Sequence, residues 1–190
     1  RHGYAGTSTS QIVQASGITK PMLYYYFGDK KSLFLATVER ITERRRAAIA
    51  SVDQPDAPAT QRLMSLFGAV FSLARENPMD TRLEFSSYYG PDLETDSQIV
   101  EDGGRILFDA IHEIVEQGCE RSEIEGEAYH IAVSLVGILT MYVMAHLAQP
   151  EEAPLFETLP TTLIDLVVLL LPFHPKHPPP PSVEPTPRVR

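Results

Sequence analysis

Apolar residues recur along most of this chain at helical spacing. Leu63, Leu66, Phe67, Val70, Phe71 and Ala74 fall three and four apart, which places them on one broad side of a helix. That helix is expected to end near Asn77-Pro78. Upstream, Phe34, Val38, Ile41, Ala48 and Val52 predict a long amphipathic helix over about 30–50. Downstream, a segment over 79–89 carries Leu83, Phe85, Tyr88 and Tyr89 before Gly90-Pro91 stops it. Ile99, Ile106, Leu107, Ala110, Ile111, Ile114 and Val115 then mark the inner side of a helix over about 96–119. Gly103-Gly104 inside it costs roughly 1 kcal/mol per glycine relative to alanine, so close packing, a bend or a break is expected there. Two further segments, 129–148 and 155–171, are apolar nearly all round. The pattern predicts an all-α fold.

The N-terminal stretch Thr7 to Lys30 has its own logic. Thr7 or Ser8 can cap a first short helix, because a hydroxyl there accepts from free backbone N–H groups. Ile12, Val13, Ala15 and Ser16 are expected to give that helix its packing side. Gly17 suits a turn that needs positive φ. Thr19 is a second N-cap, and Pro21 falls in the first turn of the next helix, where its missing N–H loses no partner. Leu23, Tyr26 and Phe27 are expected to face inward, leaving Lys20, Met22, Tyr24 and Tyr25 on other faces. Gly28 ends this helix and Asp29 caps the next. Helix, glycine turn and capped helix form a helix-turn-helix pattern, whose second helix enters the DNA major groove, although spacing alone also allows an ordinary αα-hairpin. Residues 51–58 read as a linker by composition. The chain then divides into a helix-turn-helix segment (1–50), a helical body (51–172) and a Pro-rich tail (173–190) that cannot build a core and should be disordered or polyproline-like.

Gly3-Tyr4, Thr7-Ser8, Ile12, Gly17-Ile18-Thr19, Leu23-Tyr24, Tyr26-Phe27, Lys30 and Leu33-Phe34 together resemble the N-terminal domain of TetR/AcrR-type transcriptional regulators. The Leu-Tyr-Tyr-Tyr-Phe-Gly-Asp-Lys run is the most specific part. The match covers about residues 3–40; beyond it, only a helical layout of the right length is shared. Val13 departs from the alanine usual at the closest helix crossing and should widen that crossing slightly. The resemblance implies a helix before Arg1. The sequence as given is then expected either to be a fragment or to lack one wall of the domain. In the second case Ile12, Val13, Leu23 and Phe27 would be partly uncovered, with weak DNA binding and a tendency to aggregate.

Charge at first argues against nucleic acid, since the chain carries −9 overall. Its distribution reverses the argument. Residues 1–46 hold eight basic residues against three acidic ones, a net +5, leaving −14 on the rest. A basic end on an acidic body suits a DNA-reading segment that orients the molecule on phosphate. Thr19, Lys20, Pro21, Met22 and Tyr24 are expected to read bases, and Ser8, Thr9, Ser10, Tyr25 and Lys30 to hold phosphates. Arg44-Arg45-Arg46 lies further down its helix and is expected to be a solvated face. One cysteine, Cys119, excludes an internal disulfide and reads as an apolar filler in a reducing cytosol. No secretory leader is read, and the expected location is cytoplasmic.

Segment 129–148 has the length of a membrane span. Its internal His130, Ser134, Gly137, Thr140 and His146 and its acidic flanks argue against one. With 155–171 it suits a four-helix homodimer interface, which the resemblance also implies. A dimer would read a palindromic DNA site. The resemblance further implies a small-molecule pocket among the middle helices, released from DNA when filled. Phe67, Phe71, Phe85, Tyr88, Tyr89, Phe108, His112, Met141, Tyr142 and His146 are the candidate lining, and their aromatic character suits an apolar effector. The leading expectation is a ligand-responsive repressor. The alternative is a helical interaction module with a non-functional helix-turn-helix. Catalysis is not expected: His112, His130, His146 and Cys119 match no zinc spacing, no metal or cofactor is implied, and no nucleophile or phosphate-binding motif is present.

Overall fold

Local hydrogen-bond chemistry sets the helix boundaries at the N-terminal end. In the computed structural model, which describes residues 4–89 and 98–151 apart from the side chains of 88, 89 and 98–102, α1 spans Thr9–Ser16. The Ser8 hydroxyl accepts from Gln11 N–H at 3.2 Å while the Gln11 side chain accepts from Ser8 N–H at 2.7 Å, a reciprocal capping box. Gly17 closes α1 at φ +70°. Helix α2 (Lys20–Phe27) starts on Thr19, whose hydroxyl accepts from Met22 N–H at 3.4 Å, and ends on Gly28 at φ +77°. Helix α3 (Lys30–Val52) is capped by Asp29, which accepts from Ser32 N–H at 2.7 Å. That bond, with the Lys31 charge close by, holds the Asp29 carboxyl below the usual aspartate range.

The body follows as α4 (Ala59–Glu76), α5 (Pro78–Tyr89), α6 (Gln98–Glu120) and α7 (Ala128–Ala148). No strand occurs among the described residues. The stripe predicted on α4 is fully buried, and it meets Leu107, Ile111, Ile114 and Val115 of α6 and Ile131, Leu135, Leu139 and Val143 of α7. Helix α3 serves both ends of the molecule. Its Phe34 and Val38 are buried beside the short helices, whereas Ile49 belongs to the body's core. The segment after α3 is fastened rather than loose: Ser51 and Val52 complete the helix, and Arg62 grips Asp53 with two nitrogens at 2.8 and 3.1 Å and Gln117 at 2.6 Å. Glu123 caps α4 from the α6–α7 connection, accepting from Ala59 N–H at 2.6 Å.

Several expectations are corrected. Tyr26 is 70% exposed. At 100° per residue three consecutive tyrosines cannot all turn inward, and Leu23 and Phe27, one turn apart, already occupy the inner side. Ala15 and Ser16 are exposed, so α1 packs through half-buried Ile12 and Val13, with Thr9 half-buried at its start. Arg44-Arg45-Arg46 is not a solvated face: Arg45 is buried and Arg44 half-buried, and only Arg46 stands in solvent, paired with Glu43. Helix α5 buries polar Thr81, Glu84 and Ser87, while Leu83 and Phe85 are only half-buried. Helix α6 runs unbroken through Gly103-Gly104. A close approach lies at Gly118, where an added Cβ would stand 2.8 Å from Ala59 Cβ and 2.9 Å from Ile124 Cδ1. Helix α7 buries one side through Ile131, Ala132, Leu135, Leu139, Val143 and Leu147, but leaves Tyr129, Val133, Met141 and Met144 exposed. It is long and apolar enough by composition to cross a membrane. Segment 155–171 and the Pro-rich tail lie outside the described residues.

Candidate nucleic-acid interface and the cavities of the body

The Thr19 cap and the buried Leu23 fix α2 so that its other side faces outward. Lys20 and Pro21 are exposed, as are Met22, Tyr24 and, at 83%, Tyr25. Tyr26 joins this surface, its ring edge-on to Tyr25 at 5.2 Å between centroids. The hydroxyls of Ser8 and Thr19 are engaged as caps, so each can reach a phosphate or base only through its remaining donor capacity. Ser10 is exposed in the first turn of α1, and Thr9 is half-buried. Lys30 stands at the start of α3 with its ammonium 4.2 Å from the centroid of the Tyr4 ring. Tyr4 in turn leans on buried Phe34, ring centroids 4.9 Å apart. A cation at a helix N-terminus opposes the macrodipole by about 0.3–1 kcal/mol. The aromatic face offsets about 0.5–1 kcal/mol of that. Tyr4 was not among the DNA-contacting residues expected from sequence, because its partner Lys30 lies 26 positions away.

The residues expected to line a pocket occupy different environments where their side chains are described. Phe67 and Phe71 are packed into the core at 1% and 2% exposure. Phe108 stacks on His112 at 5.5 Å and meets Tyr129 edge-on at 5.6 Å, an aromatic chain between α6 and α7. Met141 points away from the core at 70% exposure, and Tyr142 and His146 are half-buried. The side chains of Tyr88 and Tyr89 lie outside the described residues. Of the set, Phe85 lines a cavity of about 30 Å³, with Val70, Leu107, Leu139 and Val143 on its apolar side. That volume admits a water or two. A larger groove of about 520 Å³ lies between α3, α4 and α6, with Ile49, Leu66, Ile106 and Ile114 below and Arg46, Arg105, Asp109 and Glu113 at the rim.

The polar wall of the small cavity is its most specific feature. Arg45 of α3 donates to Glu84 of α5 in an ion pair whose side chains are 10% and 2% exposed. Beside it Arg44 donates to Asp80 at 2.7 Å and to Asn77 at 3.1 Å. Sequence patterning missed this pair because its members are 39 residues apart. Cys119 donates its thiol to the Gly126 carbonyl at 3.6 Å, and burial, with Glu116 and Glu127 nearby, raises its pKa. Among the described residues no three His, Cys, Asp or Glu side chains are grouped to hold a metal ion.

A helix-turn-helix fused through one continuous helix to an all-helical body defines a class of DNA-reading proteins, and comparison narrows the class. Residues 1–37 match the family described as bacterial regulatory proteins, tetR family. Over that segment the chain is similar to this family. It is 26% identical over 137 residues to the HTH-type transcriptional activator FasR of Mycolicibacterium smegmatis, covering 72% of this chain and 61% of FasR. The chain thus spans about three-fifths of that relative's length. In fold it is similar to the transcriptional regulator FadR from Bacillus subtilis in complex with stearoyl-CoA, with a TM-score of 0.73, 16% identity and coverage of 88% of this chain and 90% of FadR. It is also similar to AibR in complex with isovaleryl coenzyme A and operator DNA, with a TM-score of 0.70, 18% identity and coverage of 88% and 90%.

Proposed function

We propose that this protein is a ligand-responsive, DNA-binding transcriptional regulator that acts in the cytoplasm as a homodimer on a palindromic operator. The observation that carries this reading is the outward side of α2: an N-capped helix anchored by Leu23 that presents Lys20, Pro21, Met22 and Tyr24. These residues, with Thr19, read bases; Ser8, Thr9, Ser10, Tyr25 and Lys30 hold phosphates. Residues 1–50 form the DNA domain and 51–172 the effector and dimer domain. The exposed side of α7, with segment 155–171, meets a second copy.

The effector is an acyl thioester whose chain opens the small cavity among α3, α4, α5, α6 and α7. The apolar lining of that cavity supports this, as do the acyl-CoA complexes of FadR and AibR. Repression released by effector is the leading mode. The printed description of FasR as an activator favours a second mode, in which binding near the promoter raises transcription. No catalytic step is assigned to any residue.

The test is a fluorescence-anisotropy titration of the full-length protein on the DNA upstream of its own reading frame, across salt and with acyl-CoAs of increasing chain length. Affinity should fall steeply with salt as counterions are recaptured, and one chain-length range should shift it. Lys30→Ala should weaken all duplexes about equally. Absence of salt-dependent binding would favour the interaction-module alternative. In vitro transcription then separates repression from activation.

A further inference from the structure

We propose that Tyr4 is a positioning residue for DNA binding, its ring face holding the Lys30 ammonium in place for a backbone phosphate beside the start of α1. The inference rests on the regulator reading and adds to it a residue outside the helix-turn-helix pair.

Three observations carry it. The Lys30 ammonium lies 4.2 Å from the ring centroid, over its face. The ring is itself fixed, leaning on buried Phe34 at 4.9 Å. The Tyr4 carbonyl accepts from Thr7 N–H at 3.4 Å, one residue before the Ser8 cap, so the ring is tethered to the approach of α1. Tyr4 therefore bridges two helix starts, those of α1 and α3. Among the described residues no carboxylate forms an ion pair with Lys30. An aromatic face restrains the ammonium without neutralising it, so the charge stays available to an anion. A lysine stem otherwise samples many rotamers, and holding it beforehand lowers the ordering cost of the contact.

The experiment is a double-mutant cycle on DNA affinity in the full-length protein, with Tyr4→Phe, Tyr4→Leu, Lys30→Gln and the Leu/Gln pair. Tyr4→Phe keeps the ring face and should bind within about twofold of the parent, while Tyr4→Leu should lose about two- to fivefold. In the Lys30→Gln background, Tyr4→Leu should cost nothing more. Multiplying losses would reduce Tyr4 to a packing residue and overturn the proposal. So would a Tyr4→Phe variant as weak as Tyr4→Leu. A DNA-free readout guards against misfolding of the leucine variant: in the parent and in Tyr4→Phe the Lys30 ε-methylene protons should be shifted upfield by the ring current. Random-coil shifts there would equally overturn the proposal. If the parent shows the ring-current shift but binds no DNA, the regulator reading fails and this role falls with it; binding with additive losses removes only the role of Tyr4.

Discussion

The sharpest energetic prediction concerns Arg45 and Glu84. Both side chains are almost wholly withdrawn from water, so their desolvation is already spent in the folded state. Replacing Arg45 with Met keeps the stem's volume but removes the guanidinium that Glu84 faces. Breaking a buried pair from one side costs about 3–5 kcal/mol. That is a large share of the roughly 5–15 kcal/mol that holds a typical domain together. The matched double variant, Arg45→Met with Glu84→Leu, leaves no charge behind and should recover most of the loss. Arg44→Ala is the control. Its pair with Asp80 is 40% and 39% exposed, and solvent-screened pairs contribute about 0–1 kcal/mol. The assay is urea denaturation followed by helical circular dichroism, with every variant at one protein concentration, because dimerisation would make the midpoint concentration-dependent. The ordering Arg45→Met far below Arg44→Ala, with the double variant restored, supports the assignment. An Arg45→Met variant within about 1 kcal/mol of the parent, or a double variant no better than the single, would refute it.

Three further outcomes follow from particular contacts. Gly118→Ala should lower the melting temperature, because overpacking against Ala59 by about 1–3 kcal/mol outweighs the roughly 1 kcal/mol alanine gains in a helix; an unchanged or higher melting temperature would contradict the close approach. The Cys119 thiol should react with a disulfide reagent at pH 7 more slowly than free cysteine, since its raised pKa leaves less thiolate; a rate at or above that of the free thiol would be inconsistent with it. The Asp29 carboxyl, followed by NMR, should titrate below the ordinary aspartate range. Its stabilising share is then present above the unfolded aspartate pKa and is lost as pH falls through the folded one; an unshifted midpoint would remove that cap from the stability of α3.

What was legible in the sequence was local. Ser8, Gly17, Thr19, Pro21, Gly28 and Asp29 act within four residues of themselves, so their roles could be read from spacing and are found in the structure. The stripe on α4 was legible because it alternates with polar residues. The helix α7 was harder: with almost no polar contrast around it, the pattern could not say that Met141 faces outward and Leu139 inward. The aromatic residues proposed to line a pocket were chosen by type, and type does not separate Phe67 in a packed core from Phe85 at a cavity wall. Arg45 looked like one of three solvated arginines because the carboxylate that buries it sits on another helix. Tyr4 was invisible as a partner of Lys30 for the same reason.

The unbroken course of α3 has a geometric consequence. Fifteen residues separate Arg45 from Lys30 along one helix, a rod of about 22 Å at 1.5 Å per residue. A tilt of about 5° pivoting at Arg45 would carry the Lys30 end sideways by about 2 Å. In a two-fold dimer the shifts of both ends combine to about 4 Å, against half-sites about 34 Å apart on DNA. In the dimer proposed above, a small tilt at the pivot would be large enough, at the far end, to pull two reading heads out of step with the groove.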